Sequence, residues 1–296
     1  MSMYLVAGVG APTYPAAADG HLPSARIRRY PSDTTGKEWE LLAPLVPCGR
    51  PGQRGGRPAQ HSRRDIVDAI RYVAHNGGVW RALPGDFPPW KTVYGYHARW
   101  TRDGTVGRIH NALREQVRTS EGRAPQPTAA LVDSQSVRAA ETVARSSRGY
   151  DGGKKVNGRK RHIATDTIGL LLVVLVTAAS VQDRDGGRGL LWTLRCCFPT
   201  VSKVWADGGY QGQLVDWATS ALNLGVEIVR KLADQVGFQV LPRRWVVERT
   251  PSWISRCRRT VRDYERLPAH HATFVHWSMI IVMTRRLARR PATNPT

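Results

Sequence analysis

Four cysteines are scattered over 296 residues, at Cys48, Cys196, Cys197 and Cys257, with no Cys-x-x-Cys pair and no histidine at zinc-finger spacing. Neither a disulfide framework nor a structural zinc is indicated, and the thiols are expected to be free in a reducing compartment. Long apolar runs are missing too: the longest, residues 168–179, is too short to span a bilayer and contains Gly169. The mildly apolar opening residues have no basic leader, so no signal peptide is read and a cytoplasmic location is expected. Acidic residues are the most informative scarcity. Asp and Glu number 23 against 44 Lys and Arg, a formal net charge of +21. Such a chain is expected to meet nucleic acid; an anionic membrane would call for an anchor or a basic amphipathic helix.

What is present suggests two parts. Residues 1–29, rich in Ala, Pro and Gly, are expected to be a loose, disordered extension. Residues 30–119 read as helical. Asp33 or Thr34 can cap a helix carrying Trp39, Leu42 and Leu45; a mobile basic strip, 49–58, follows. Residues 63–75 place Ile66, Ile70 and Val73 on one face, 91–102 place Val93, Tyr96 and Trp100, and a last helix places Val106, Ile109, Leu113 and Val117. Tight Gly and Pro turns between these helices fit a helix-turn-helix-like DNA reader with Lys91, Thr92, His97 and Arg99 as candidate contacts, although any small helical domain shows the same pattern. Residues 120–128 form the linker. Beyond it, apolar runs at 129–133, 161–167, 170–178, 201–206 and 226–229 predict strands, with helices at 188–197 and 211–222, giving an α/β layered domain over 129–267. A helix and tail, 268–296, close the chain.

The stretch 243–266 draws attention to chemistry. On a helical period Val246, Trp253, Cys257, Val261 and Tyr264 share one face, with Arg244, Glu248, Ser255, Arg259, Arg262 and Arg266 opposite. One carboxylate among arginines suggests metal-assisted chemistry on a polyanion; equally, Glu248 can pair with Arg244 four residues earlier. Asp133 and Asp207 each end an apolar run, where they can serve a site or simply cap turns. Three carboxylates brought together repel by about 4 kcal/mol per pair at 4 Å in an effective dielectric near 20. Hard divalent cations relieve that repulsion, and two of them can clamp a phosphodiester. The loop 145–161, with Lys154, Lys155, Arg159, Lys160 and Arg161, can follow a DNA backbone or be merely solvated. Asp166, Asp183 and Asp185 read as turn and cap residues, and His270, His271 and His276 as surface or core histidines.

Seven motifs in order, Tyr30-Pro31-Ser32-Asp33, Trp80-Arg81-Ala82-Leu83-Pro84, Pro88-Pro89-Trp90, Val132-Asp133-Ser134-Gln135-Ser136-Val137, Gly158-Arg159-Lys160-Arg161-His162, Ala206-Asp207-Gly208-Gly209-Tyr210 and Arg243-Arg244-Trp245-Val246-Val247-Glu248-Arg249-Thr250, closely resemble the transposases of bacterial insertion sequences. The subgroup is insertion-sequence family five, within the family four/five superfamily, and the resemblance runs from about residue 30 to 287. It implies an RNase H-like catalytic domain with the triad Asp133, Asp207 and Glu248 holding two Mg²⁺ ions, Mn²⁺ being able to substitute. Arg244 would orient Glu248 or a phosphate. It also implies double-stranded DNA as partner, both element ends and target, with Lys91, Thr92, Arg99, Lys154, Lys155, Arg159, Lys160, Arg161, Arg259 and Arg262 as contacts. A homodimer or higher assembly on DNA, a nucleoid-associated location and no membrane partner follow. The activity implied is cleavage at terminal inverted repeats followed by strand transfer; the alternative is a catalytically decayed or repurposed sequence-specific DNA-binding protein. Leu241 and Ser255 stand where the family carries tyrosine and lysine, with Arg256 beside the latter. Pro251 predicts a helix starting with Thr250 as cap, leaving Glu248 just ahead of it.

Overall fold

Local capping sets the first helix, α1 (Gly36–Leu42). Thr35, rather than Asp33 or Thr34, is its cap: the Thr35 hydroxyl accepts from the Glu38 amide at 3.1 Å, and the Glu38 carboxylate accepts from the Thr35 amide at 3.2 Å. Asp33 instead accepts from the amides of Arg29 and Tyr30 and pairs with Arg26 at 2.6 Å. In the computed structural model the described residues are 24, 26–47, 59–229 and 242–289, of which 242–248 are described by their backbone alone. The basic strip 49–58, Cys48 and Leu241 lie outside them.

Ser62 caps α2 (Arg63–Asn76), and Gly77 ends it in the left-handed conformation at φ +75°, donating to the Val73 carbonyl. There a Cβ would also meet Arg258 at 2.9 Å, so glycine serves both the turn and the packing. Helix α3 (Trp90–Arg102) follows within a residue of the limits predicted and α4 (Thr105–Ser120) comes after it, with Val93, Trp100, Val106, Ile109, Leu113 and Val117 buried as the periodicity requires.

The sheet is built from β1 (Ala129–Arg138), β2 (Gly149–Asp151), β3 (Val156–Asp166), β4 (Leu171–Ala178), β5 (Lys203–Ala206) and β6 (Gly225–Ile228). β1 lies antiparallel to β3 on one side and parallel to β5 on the other; β6 continues the parallel part, while β2 and β4 pair with the far edge of β3. Helix α5 (Asp183–Cys197) connects β4 to β5, and α6 (Gln213–Leu222) connects β5 to β6. This is the mixed α/β architecture expected. Both β1 and β3 outrun the apolar cores that predicted them, because the ladder of backbone hydrogen bonds continues through the polar residues 134–138 and 156–160.

Two cores flank the sheet. One joins Ala130, Val132, Ala164 and Leu172 to Leu190, Leu191 and Leu194 of α5 and Leu214 and Ala218 of α6. The other joins Ile163, Leu171 and Val174 to α2, α3 and α4 and to α9 (Pro268–Ala288), whose Phe274, Trp277, Ile280 and Ile281 are buried. The last described helix thus packs among the first ones.

The stretch 243–266 is not one helix. α7 (Pro242–Ser255) stops, the chain turns through Arg256 and Cys257, and a short α8 (Arg258–Val261) leads to a bridge between Asp263 and Ala139. A single helical period therefore fails across it: Arg259 is buried, while Val261 and Tyr264 are exposed. Helix α7 also begins before Thr250 and runs through Pro251, so Glu248 lies inside it rather than ahead of it. Tertiary bonds hold the helix across its proline, with Thr250 Oγ1 donating to the Gly169 carbonyl at 2.7 Å and Arg249 to that of Ile168 at 2.6 Å.

Candidate active site

Parallel pairing brings two of the three predicted carboxylates to neighbouring places. Leu131 on β1 is in register with Trp205 on β5, the last pair of that ladder; Asp133 stands two residues further along β1, and Asp207 follows directly on the last residue of β5. Asp133 lies opposite Ile163 on antiparallel β3, and opposed residues share a face, so it belongs to the side of the sheet lined by the α9 core. Helix α7, whose backbone includes Arg244 and Glu248, packs against β1. The side chains of Arg244 and Glu248 lie outside the described residues.

Asp133 is half-buried and accepts from the Ser134 amide at 2.7 Å. Burial drives its carboxyl up to about 6; the Ser134 amide and Lys154 oppose this, and the nearby Asp207 and Asp183 reinforce it. Asp207 is exposed and caps the 3₁₀ turn Gly208–Tyr210, accepting from the Gly209 amide at 3.0 Å. The capping role is therefore real, and compatible with a place in the site.

Lys154 and Asp183 complete the surroundings. Lys154 Nζ donates to the carbonyl and hydroxyl of Ser134 at 2.8 and 3.1 Å, next to Asp133. Asp183, read from the sequence as a cap, is the first residue of α5 and pairs with Lys160 at 2.9 Å. Burial pushes Asp183 up, but Lys160 and Ser134 outweigh it and hold the carboxyl below its ordinary value. Two glycines bring α5 this close: a Cβ on Gly186 would stand 2.1 Å from the His162 ring, and one on Gly187 would stand 2.9 Å from the Tyr210 ring. Consecutive glycines in a helix's first turns are the signal the sequence offered for this approach.

The predicted DNA contacts divide by exposure. Lys91, Arg99, Lys154, Lys155 and Arg262 are exposed and Thr92 is half-exposed. Arg159, Lys160, Arg161 and Arg259 are buried and committed inside the protein, which corrects their reading as DNA contacts. Arg159 pairs with Asp263 at 2.9 Å and Arg259 with Glu265 at 2.6 Å; Lys160 bridges Asp183 and Asp151; Arg161 donates to the Thr260 carbonyl. β3 is covered on both edges and both faces, so even its basic residues point inward to partners distant in the chain. His97 is likewise buried, against Phe274 and His270.

Hard oxygen donors at neighbouring strand positions, with one carboxyl raised chiefly by burial and further by its acidic neighbours, suit a divalent cation. Among the described residues no three His, Cys, Asp or Glu side chains form a metal-holding group by themselves. Nor, among them, is any helix long and apolar enough to cross a membrane.

Residues 35–110 match the family model described as "Putative transposase of IS4/5 family". The "Uncharacterized protein y4sN" of Sinorhizobium fredii is 30% identical over 79 residues, covering 27% of this chain and 61% of that protein. The "Putative transposase for insertion sequence element IS402" of Burkholderia cepacia is 28% identical over 144 residues, covering 45% of this chain and 65% of that protein. The chain thus spans less than two thirds of either relative. No solved structure matches it. Residues 124–283, more than half of the chain and including Asp133, Asp207 and Glu248, match the model described as "Transposase DDE domain", a domain of RNase H-like fold that uses divalent metal. The chain belongs to the family of the transposase DDE domain, and its first helical part is similar to the transposases of the insertion-sequence four/five group.

Proposed function

We propose that the protein is a DNA transposase that binds the terminal inverted repeats of its element, hydrolyses a phosphodiester there to free a 3′-hydroxyl, and directs that hydroxyl at target DNA. The observation that supports this best is the placement of Asp133 on β1 and of Asp207 just past the end of the parallel neighbour β5, near enough to act on the Asp133 carboxyl, with the Glu248 helix packed on β1. Asp133, Asp207 and Glu248 would hold two Mg²⁺ ions, which when bound activate the attacking oxygen and stabilise the leaving one. Around them the protein's own groups divide the work. Lys154, fixed on Ser134, offsets charge beside Asp133 and offers a cation to an incoming phosphate. Asp207 is oriented by the Gly209 amide, so its carboxylate is pre-set before substrate arrives. Arg244 would orient Glu248 or a phosphate from the same helix. The exposed Lys91, Arg99, Lys155 and Arg262 supply sequence-independent contacts to the backbone, and two element ends held together call for at least a dimer on DNA.

One observation favours the binding-only alternative. Ser255 stands where the family carries lysine, and its hydroxyl is spent on the Pro251 carbonyl at 2.7 Å. The two readings separate in a strand-cleavage assay on DNA bearing the element's own ends with Mg²⁺ or Mn²⁺. Nicking at the boundary that disappears in Glu248→Ala and Asp133→Asn is the expected result; tight, metal-independent end binding without nicking in the unaltered protein would establish the alternative.

A further inference from the structure

Asp183 is a buried-side carboxylate outside the triad, and its two oxygens face different ways. Oδ1 is held by Lys160 at 2.9 Å. Oδ2 is turned toward Gly209, where a Cβ would stand 3.4 Å from it and 3.1 Å from Asp207 Oδ1. The two carboxylates are therefore no farther apart than those two distances laid end to end, and Gly209, which carries no side chain, stands beside both. Divalent cations sit about 2.1–2.6 Å from directly bound oxygens and reach farther through a bound water. The gap is of that scale.

A second observation points the same way. Tyr210, 1% exposed, has its hydroxyl sealed from solvent and without a partner of hydrogen-bond geometry, although Ser134 lies beside it. Burial raises that hydroxyl well above its ordinary value and Asp183, Asp133 and Asp207 add to the rise, so it lies within the field of these acids. A buried hydroxyl is ordinarily satisfied, and one left open toward carboxylates suits a cation's water shell. Lys160, bridging Asp183 and Asp151, supplies the positive charge that keeps Asp183 ionised before a cation arrives.

We propose that Asp183 is a further ligand of the catalytic centre, sharing a divalent cation with Asp207 across Gly209, directly or through one bound water that Tyr210 also contacts. The inference rests on the proposed metal-dependent site. It assigns the first turn of α5 to cation binding, and it explains why that turn carries two glycines: they let the helix start close enough for its first carboxylate to reach Asp207.

The test is Mn²⁺ affinity of the full chain without DNA, read from the free-ion electron paramagnetic resonance signal, with melting temperature in chelator as the check on folding. Asp183→Asn is expected to weaken binding at least about tenfold while Asp185→Asn, altered at an exposed position in the same turn, binds as the native protein does. Asp207→Asn separates the two levels of argument: if it loses Mn²⁺ and Asp183→Asn does not, the assignment of Asp183 is wrong and the site stands. If neither Asp207→Asn nor Asp133→Asn changes affinity, the metal site itself is misplaced. Should loss of the Lys160 pair unfold Asp183→Asn, Gly209→Ala decides, because its methyl fills the gap and leaves every charge in place. Native affinity in that variant overturns the proposal.

Discussion

Acid should unlock this protein at its histidines, and the size of the effect can be worked from the structure. His276 on α9 packs against His110 on α4, with ring centroids 5.0 Å apart, and His162 is enclosed between β3 and α5. Burial holds His276 and His162 down at about 4, against 6.5 for the free side chain, and depresses His97 and His110 well below that value. A histidine whose folded-state value is lowered binds its proton more readily in the unfolded chain. Its contribution is complete above about pH 6.5 and drains away as pH falls toward 4. At about pH 4.5, His276 and His162 should each have lost about 2–3 kcal/mol. Asp133 works in the opposite sense, since its raised carboxyl takes up a proton in the folded state first and returns about 2 kcal/mol. The balance is a loss of about 3 kcal/mol before His97 and His110 are counted, a large share of the 5–15 kcal/mol typical of a folded domain. Urea unfolding followed by circular dichroism from about pH 7 to 4.5 measures it. His276→Leu removes one titrating group, so its loss over the same interval should be smaller by about 2 kcal/mol. An identical pH slope in native protein and variant would refute the reasoning.

Two other outcomes follow from packing. Gly186→Ala places a methyl 2.1–2.6 Å from three atoms of the His162 ring, so it should destabilise by roughly 1–3 kcal/mol and recover when His162→Ala makes room; thermal melts of the single and double variants decide it. Asp263→Ala strands the buried Arg159 guanidinium and the paired His271, and should cost about 3–5 kcal/mol in urea unfolding, where a loss under about 1 kcal/mol would show that Arg159 finds other acceptors.

Much of the architecture is legible in the chain because it is locally encoded. α2, α3 and α4 each have a single apolar face and a defined stop, Gly77 and Gly104 among them, so period and punctuation agree. Asp133 and Asp207 stand at the ends of apolar runs, and parallel pairing of β1 with β5 carries both to neighbouring places. What resists reading is what depends on distant partners. Arg159, Lys160 and Arg161 have the composition of a solvated basic loop, and partners remote in sequence, Asp263, Asp183 and the Thr260 carbonyl among them, make their burial tolerable. Lone sequences carry no record of such pairings. Pro251 misleads for the same reason, since its local preference for a helix start is overridden by anchors from Thr250 and Arg249 to the β3–β4 turn. Asp183 looks like an ordinary helix-start acid until the Gly209 gap is seen.

The packing of α9 among α2, α3 and α4 gives the protein a built-in order of manufacture. Arg71 reaches the Thr284 hydroxyl across 213 residues, and the first core lacks Phe274, Trp277 and Ile281 until the last described helix has been made. During synthesis the early helices emerge with their apolar faces unfinished, and the contacts that complete them are among the most distant in the chain. A polypeptide interrupted anywhere before α9 therefore leaves the ribosome with the core around its first helices unclosed, although the core between the sheet and α5 and α6 needs nothing from α9. The early helices thus reach their packed state only when the last described helix has been made.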